Sequence, residues 1–185
     1  VYEKVLKEMP LKDHRYRIEH FQIVTQEDIA RVSKLGIIPS MQAVHATSDK
    51  NIAEDRIGAD RMKGAYAWRT IIDAGSIVIN GSDAPVELAN PYHGIYAAVT
   101  RKDRNGNPEG GWYSGECMTR EEAIKSFTIW SAYGQFEDKL KGSLEAGKLA
   151  DFTVIDRDIM ACPDSDIKDI ATIMTVVGGK TVYSL

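Results

Sequence analysis

Three short runs rich in apolar and β-branched residues, Arg15–His20, Ile37–Met41 and Ser76–Asn80, are spaced far apart along the 185-residue chain. Helical patterns fill the intervals between them, and this alternation restricts the fold more than any other feature. Thr25-Gln-Glu-Asp28 has the form of a capping box, Ile29, Val32 and Leu35 follow at helical spacing, and Gly36 supplies a stop. Arg61–Ala74 repeats the pattern through Met62, Ala65, Trp68, Ile71 and Ile72, with Gly75 as terminator. Strands whose connections contain a helix cannot pair as hairpins. They lie parallel, joined by right-handed crossovers. The N-terminal stretch Val1–Glu8 reads as the tail of a helix broken by Pro10, and the non-periodic Gln42–Asp60 reads as a long loop.

Beyond Pro91 the spacing predicts a helix to about Val99, then a polar, Gly-rich excursion over Arg101–Gly115. Thr119-Arg-Glu-Glu122 is a second capping box, and Ala123, Phe127 and Trp130 form the apolar stripe of the helix it starts. After Gly142 the pattern changes to alternating strands at Asp151–Asp156, Ile170–Val177 and Thr181–Tyr183, the last two joined by Gly178-Gly-Lys180. An α/β unit over residues 1–141 is therefore expected to precede a β-rich unit over 142–185.

Charge excludes some partners. The net charge is −4 and the 23 basic residues are scattered, so nothing favours a nucleic acid, and no apolar run approaches the roughly 18 residues that span a membrane. A small molecule is the expected partner. Cys117 and Cys162 stand far apart, forming neither a CxxC pair nor a disulfide framework, which fits a reducing, cytoplasmic setting. The chain opens on Val1 without a signal-peptide pattern, so either the N-terminus was trimmed or the segment starts within a longer protein.

Two residues stand out by position. His20 and Asp83 each fall at or just past the C-terminal end of a predicted parallel strand, the edge where α/β folds gather ligands and catalytic groups. Imidazole and carboxylate are donors that zinc and similar ions accept. Against this, a strand-end histidine is commonly a hydrogen-bonded structural residue, and an aspartate in Gly81-Ser-Asp-Ala-Pro85 is commonly a turn former. His45 would face the same edge, and Arg61 could receive an anionic part of a substrate; a loop histidine and a solvated arginine are the competing readings. His14, before its strand, reads as structural; His93 could line a pocket, and Trp112 with Tyr113 could form a lid or simply anchor their loop. If Tyr16, Ile18 and His20 share the inward side, Arg17 and Glu19 point out beneath the helices. There they must pair, or the chain must bend before His20, and the residues leave both open.

Four ordered motifs add a resemblance. Arg17-Ile-Glu-His20, Gly81-Ser-Asp-Ala-Pro85, Gly142-Ser-Leu-Glu-Ala-Gly-Lys-Leu-Ala-Asp151 with Phe-Thr-Val-Ile-Asp156, and Gly178-Gly-Lys-Thr-Val182 together resemble the C-terminal part of the amidohydrolase superfamily. The similarity is to its branch related to N-substituted formamide deformylase. It implies about strands 6–8 of a (β/α)8 TIM barrel followed by part of a small β-sandwich, and hydrolysis of non-peptide C–N bonds through a metal-activated water. His20 would be the strand 6 ligand, Asp83 the strand 8 ligand and proton carrier, His45 and Arg61 substrate contacts, and zinc the expected divalent ion. Strands 1–5 and their ligands are missing from the pattern, so this chain alone is expected to bind metal weakly, to be catalytically silent, and to self-associate as a homo-oligomer or pair with a missing N-terminal half. A non-catalytic scaffold or binding module on the same fold is the alternative.

Overall fold

The computed structural model describes residues 1–185. Helix α1 (Tyr2–Glu8) leads to strand β1 (Arg17–Glu19), α2 (Gln26–Lys34) and β2 (Ile38–Met41); α3 (Ala43–Asp49), α4 (Ala53–Ile57) and α5 (Trp68–Asp73) then precede β3 (Ile79–Asn80). The three strands form one parallel sheet in the order β1-β2-β3, with Glu19 opposite Ser40, Ser40 opposite Ile79 and Met41 opposite Asn80. Helix α2 forms where its signals lie. Thr25 Oγ1 accepts the Asp28 N–H at 3.2 Å, Glu27 and Asp28 complement the N-terminus, Arg31 and Lys34 the C-terminus, and Ile29 and Val32 are buried.

Residues in register on a parallel sheet share a face. Ile18 and Ile37 line one crevice with Val32 of α2 and Leu35 just past its end, so that face carries the core. Arg17, Glu19 and Ser40 occupy the other. Tyr16 and Ile18 thus lie on the helix side, and the charged pair faces away from α2, opposite to the expectation from simple alternation. The charges are satisfied there: Arg17 Nε reaches Glu19 Oε1 at 3.1 Å, the Ser40 hydroxyl donates to Glu19 at 2.5 Å, and Arg17 donates to the Gly134 carbonyl at 2.9 Å. The chain also bends. His20 (φ 67) and Phe21 (φ 44) are successive left-handed residues, after which Phe21 is buried and His20 is exposed.

The stretch expected to be a loop over Gln42–Asp60 contains α3 and α4. The expected single helix over Arg61–Ala74 is a 3-10 helix at Ala59–Gly64 followed by α5. The break has a steric cause: a Cβ on Gly64 would stand 1.7 Å from the Val24 carbonyl oxygen, and Ile23 bridges Ala65 there. Trp68, Met41 and Val78 are the fully enclosed centre of the core.

Helix α6 (Pro91–Thr100) is capped by Asn90, whose Oδ1 accepts the Tyr92 N–H at 2.9 Å, and it packs against α3. Helix α7 (Arg120–Phe127) carries a complete capping box between Thr119 and Glu122, while the helix expected to continue through Trp130 turns at Thr128 into a separate α8 (Ile129–Gly134). Helix α8 lies across the N-terminal edge of the parallel sheet, where Arg15 donates to the Tyr133 carbonyl at 2.8 Å and to Asp138 at 2.5 Å. A second, antiparallel sheet follows in the order β4 (Phe152–Ile155), β5 (Thr172–Val177), β6 (Lys180–Ser184). No helix is long and apolar enough to cross a membrane.

Candidate functional site at the C-terminal edge of the parallel sheet

The ends of β1, β2 and β3 bring together a small polar group. His20 Nδ1 lies 3.0 Å from Gln42 Oε1, and its ring stacks against His45 with centroids 6.0 Å apart. An amide oxygen only accepts, so Nδ1 carries the proton and Nε2 keeps a free lone pair directed elsewhere. This is how an orienting partner prepares an imidazole to act as a ligand or base. Gln42 is itself buried as the first residue past β2. His45, on α3, is 8% exposed, and both its ring nitrogens are enclosed without a hydrogen-bond partner.

Asn80, at the end of β3, holds α3 in place. Its Oδ1 accepts the Ala43 N–H at 3.0 Å and its amide donates to Ser126 Oγ at 3.0 Å. Asp83 follows three residues on, left-handed (φ 54) and exposed, with its carbonyl accepting the Val86 N–H at 2.8 Å and its carboxylate unbonded. Thus His20 and Asp83 stand on the same edge, from the strands on either side of β2. Arg61 is exposed in the 3-10 helix and makes no hydrogen bond or ion pair to this group. His14 is at the opposite edge, accepting from the Tyr16 N–H and facing the Leu35 carbonyl at 2.8 Å. His93 is partly buried, which draws its pKa down.

A second network supports the first. The Tyr66 hydroxyl donates to Asp49 Oδ2 at 2.5 Å, and the Gln22 amide reaches the same oxygen at 3.3 Å. Burial and the Asp49 carboxylate hold the Tyr66 phenol well above its ordinary pKa, so it remains a donor. Asp49 lies one helical turn after His45, and Gln22 lies two residues after His20. Beside α3, a polar cavity of 440 Å³ is bounded by Ser48, Lys50, Glu87, Asp103 and Arg104. Gln42, Asn80 and Asp49 were not singled out from sequence; their only signal is a polar residue closing an apolar strand or helix.

No group of three or more His, Cys, Asp or Glu side chains is placed to hold an ion. Catalytic zinc sites use three protein ligands, so the residues of this chain do not by themselves make one.

The three-stranded parallel sheet with helices in its connections makes this an α/β protein, with an imidazole and an unbonded carboxylate at the C-terminal edge of that sheet. The family is narrower: the model of the amidohydrolase family matches residues 1–183, and the chain belongs to that family. It is 36% identical to "Putative amidohydrolase YtcJ" of Bacillus subtilis (strain 168), over 98% of this chain and 35% of that protein. Against N-substituted formamide deformylase of Arthrobacter pascens it is 32% identical, over 64% of this chain and 21% of that protein. Among solved structures, an uncharacterized metal-dependent hydrolase from Pyrococcus horikoshii OT3 superimposes with a TM-score of 0.73 at 26% identity, covering 87% of this chain and 32% of that one. The chain spans about a third of the length of the curated relatives that it matches along nearly its whole length.

Proposed function

We propose that this chain is the C-terminal portion of a metal-dependent hydrolase of non-peptide C–N bonds in a small amide or cyclic amide. The observation that carries the reading is the placement of His20 and Asp83 on one edge of one parallel sheet, in a chain of the amidohydrolase family. In this reading β1, β2 and β3 are strands 6–8 of a (β/α)8 barrel and the antiparallel sheet is part of a β-sandwich. His20 offers Nε2 to a divalent ion, zinc for preference, whose other ligands come from outside these residues. The bound ion supplies electrophilic activation. Asp83 is the second ligand, and its carboxylate takes a proton from the attacking water and returns it to the leaving nitrogen. His45 and Arg61 are assigned to substrate. His45 must turn its ring to reach one, since its nitrogens are enclosed. A cytoplasmic location belongs to the same reading and is supported by two cysteines that are both free.

Substituting this chain for the matching third of YtcJ tests the proposal. The chimera loaded with zinc should hydrolyse N-substituted amides, and D83N should lower kcat by at least about 10²-fold, the low end of acid–base contributions. A chimera that retains metal but shows no dependence on Asp83 would sink it. The incomplete ligand set favours one other reading, a non-catalytic scaffold on the same fold. That reading is supported if the chimera folds and loads metal without turning over any amide.

A further inference from the structure

Arg101 is the most unusual side chain outside the candidate site. It is fully buried, it has no carboxylate partner, and one of its terminal nitrogens is left without any partner. It also sits in the left-handed C-terminal position after α6 (φ 54, ψ 33), where glycine is the usual occupant and any other residue costs about 1 kcal/mol. A buried cation in a strained position persists when its surroundings over-determine it.

What it holds explains its presence. Arg101 Nη1 donates to the Tyr66 carbonyl at 2.8 Å and Nε donates to the Trp112 carbonyl at 2.6 Å, while the Trp112 N–H returns to the Arg101 carbonyl at 2.8 Å. The guanidinium lies over Trp68 at 4.5 Å and Trp112 at 5.1 Å from the ring centroids, a cation–π contact with each. Tyr66 belongs to the long connection between β2 and β3; Trp112 belongs to the Gly-rich excursion after α6. Gly111 lets the excursion approach, since a Cβ there would be 2.3 Å from the Thr100 carbonyl oxygen. Tyr66 in turn takes its backbone N–H to the Gln22 carbonyl at 2.7 Å and its hydroxyl to Asp49.

We propose that Arg101 is a positioning residue that clamps these two connections into one roof over the C-terminal edge, fixing Tyr66 and through Asp49 the helix that carries His45. The clamp itself rests only on the fold; its last link rests on the site reading above. A single ammonium cannot serve both carbonyls in the fork geometry of a guanidinium, so lysine should not replace it.

Amide hydrogen exchange and imidazole NMR on the whole chain test this without any activity assay. R101M and R101K should each speed exchange of the Trp112 amide at least tenfold relative to the sheet amides, and should move the ring signals of His45. Val78→Ala, a comparable loss deep in the sheet, is the control: it should raise exchange broadly and leave the His45 signals in place. Should R101M not fold, R101K carries the same readouts. The clamp is overturned if the arginine variants give the same exchange pattern as V78A, and the link to the site is overturned if Trp112 is released while His45 is unmoved. Failure of the hydrolase reading would appear only in the YtcJ chimera and would leave the exchange result standing.

Discussion

A proton on one imidazole nitrogen decides what His20 offers. Because Gln42 Oε1 faces Nδ1 at 3.0 Å, the Nε2 lone pair is exposed for use. Removing that acceptor with Gln42→Leu should mix the two tautomers, which long-range 1H–15N correlation of the His20 ring would read; an unchanged pure Nδ1–H form would show that Gln42 does not set it. Glu122 supplies a second expectation at this scale. Both its oxygens receive Arg69, at 2.7 and 2.8 Å, and the guanidinium together with Thr119 pulls its pKa from 4.5 to about 2. A carboxylate whose folded pKa is depressed stabilises the fold above its unfolded value and loses that contribution as pH falls through the folded one. Glu122→Gln should therefore cost about 2 kcal/mol at neutral pH, and the difference from the parent should close as pH drops from 4.5 towards 2 in denaturant titrations. Gly64 is a stricter case, since the Val24 carbonyl occupies the space of any Cβ. Gly64→Ala should destabilise by more than about 3 kcal/mol; thermal unfolding close to the parent's would contradict the close approach.

Elements differ in how far they could be read from sequence, and the difference is local against remote support. Helices α2 and α7 carry their own start signals, Thr25 with Asp28 and Thr119 with Glu122, and both form where those signals stand. Thr119→Ala should accordingly cost about 1 kcal/mol, measured as a lowered Tm with the start of α7 exchanging faster. Helices α3 and α4 are seven and five residues long, too short for a periodic pattern, and α3 is started by Asn80 from another strand. The interruption before α5 depends on Val24, forty residues earlier than Gly64. Such partners are invisible until the chain has folded.

At the scale of the whole molecule, the candidate site was legible where it depends on strand order. His20 and Asp83 could be placed because parallel strands present their ends together. Gln42, Asn80 and Arg101 could not, because each acts through a partner on a distant segment. The three-stranded parallel sheet also ends on both sides without a neighbour, as β1 and β3 each pair only with β2. Open strand edges recruit other chains. Sedimentation should show the average mass rising with protein concentration, and a strict monomer throughout would argue that the edges are covered.

The corner at His20 and Phe21 works as a phase shifter. Pleating would have sent His20 under α2 beside Ile18 and left Phe21 on the polar side with Glu19. Two left-handed residues in succession swap that parity, so a strand can keep its greasy underside while its final imidazole surfaces at the rim. Replacing Phe21 by proline, which drives the preceding residue back to extended backbone, would restore the strand's own rhythm and turn the imidazole inward.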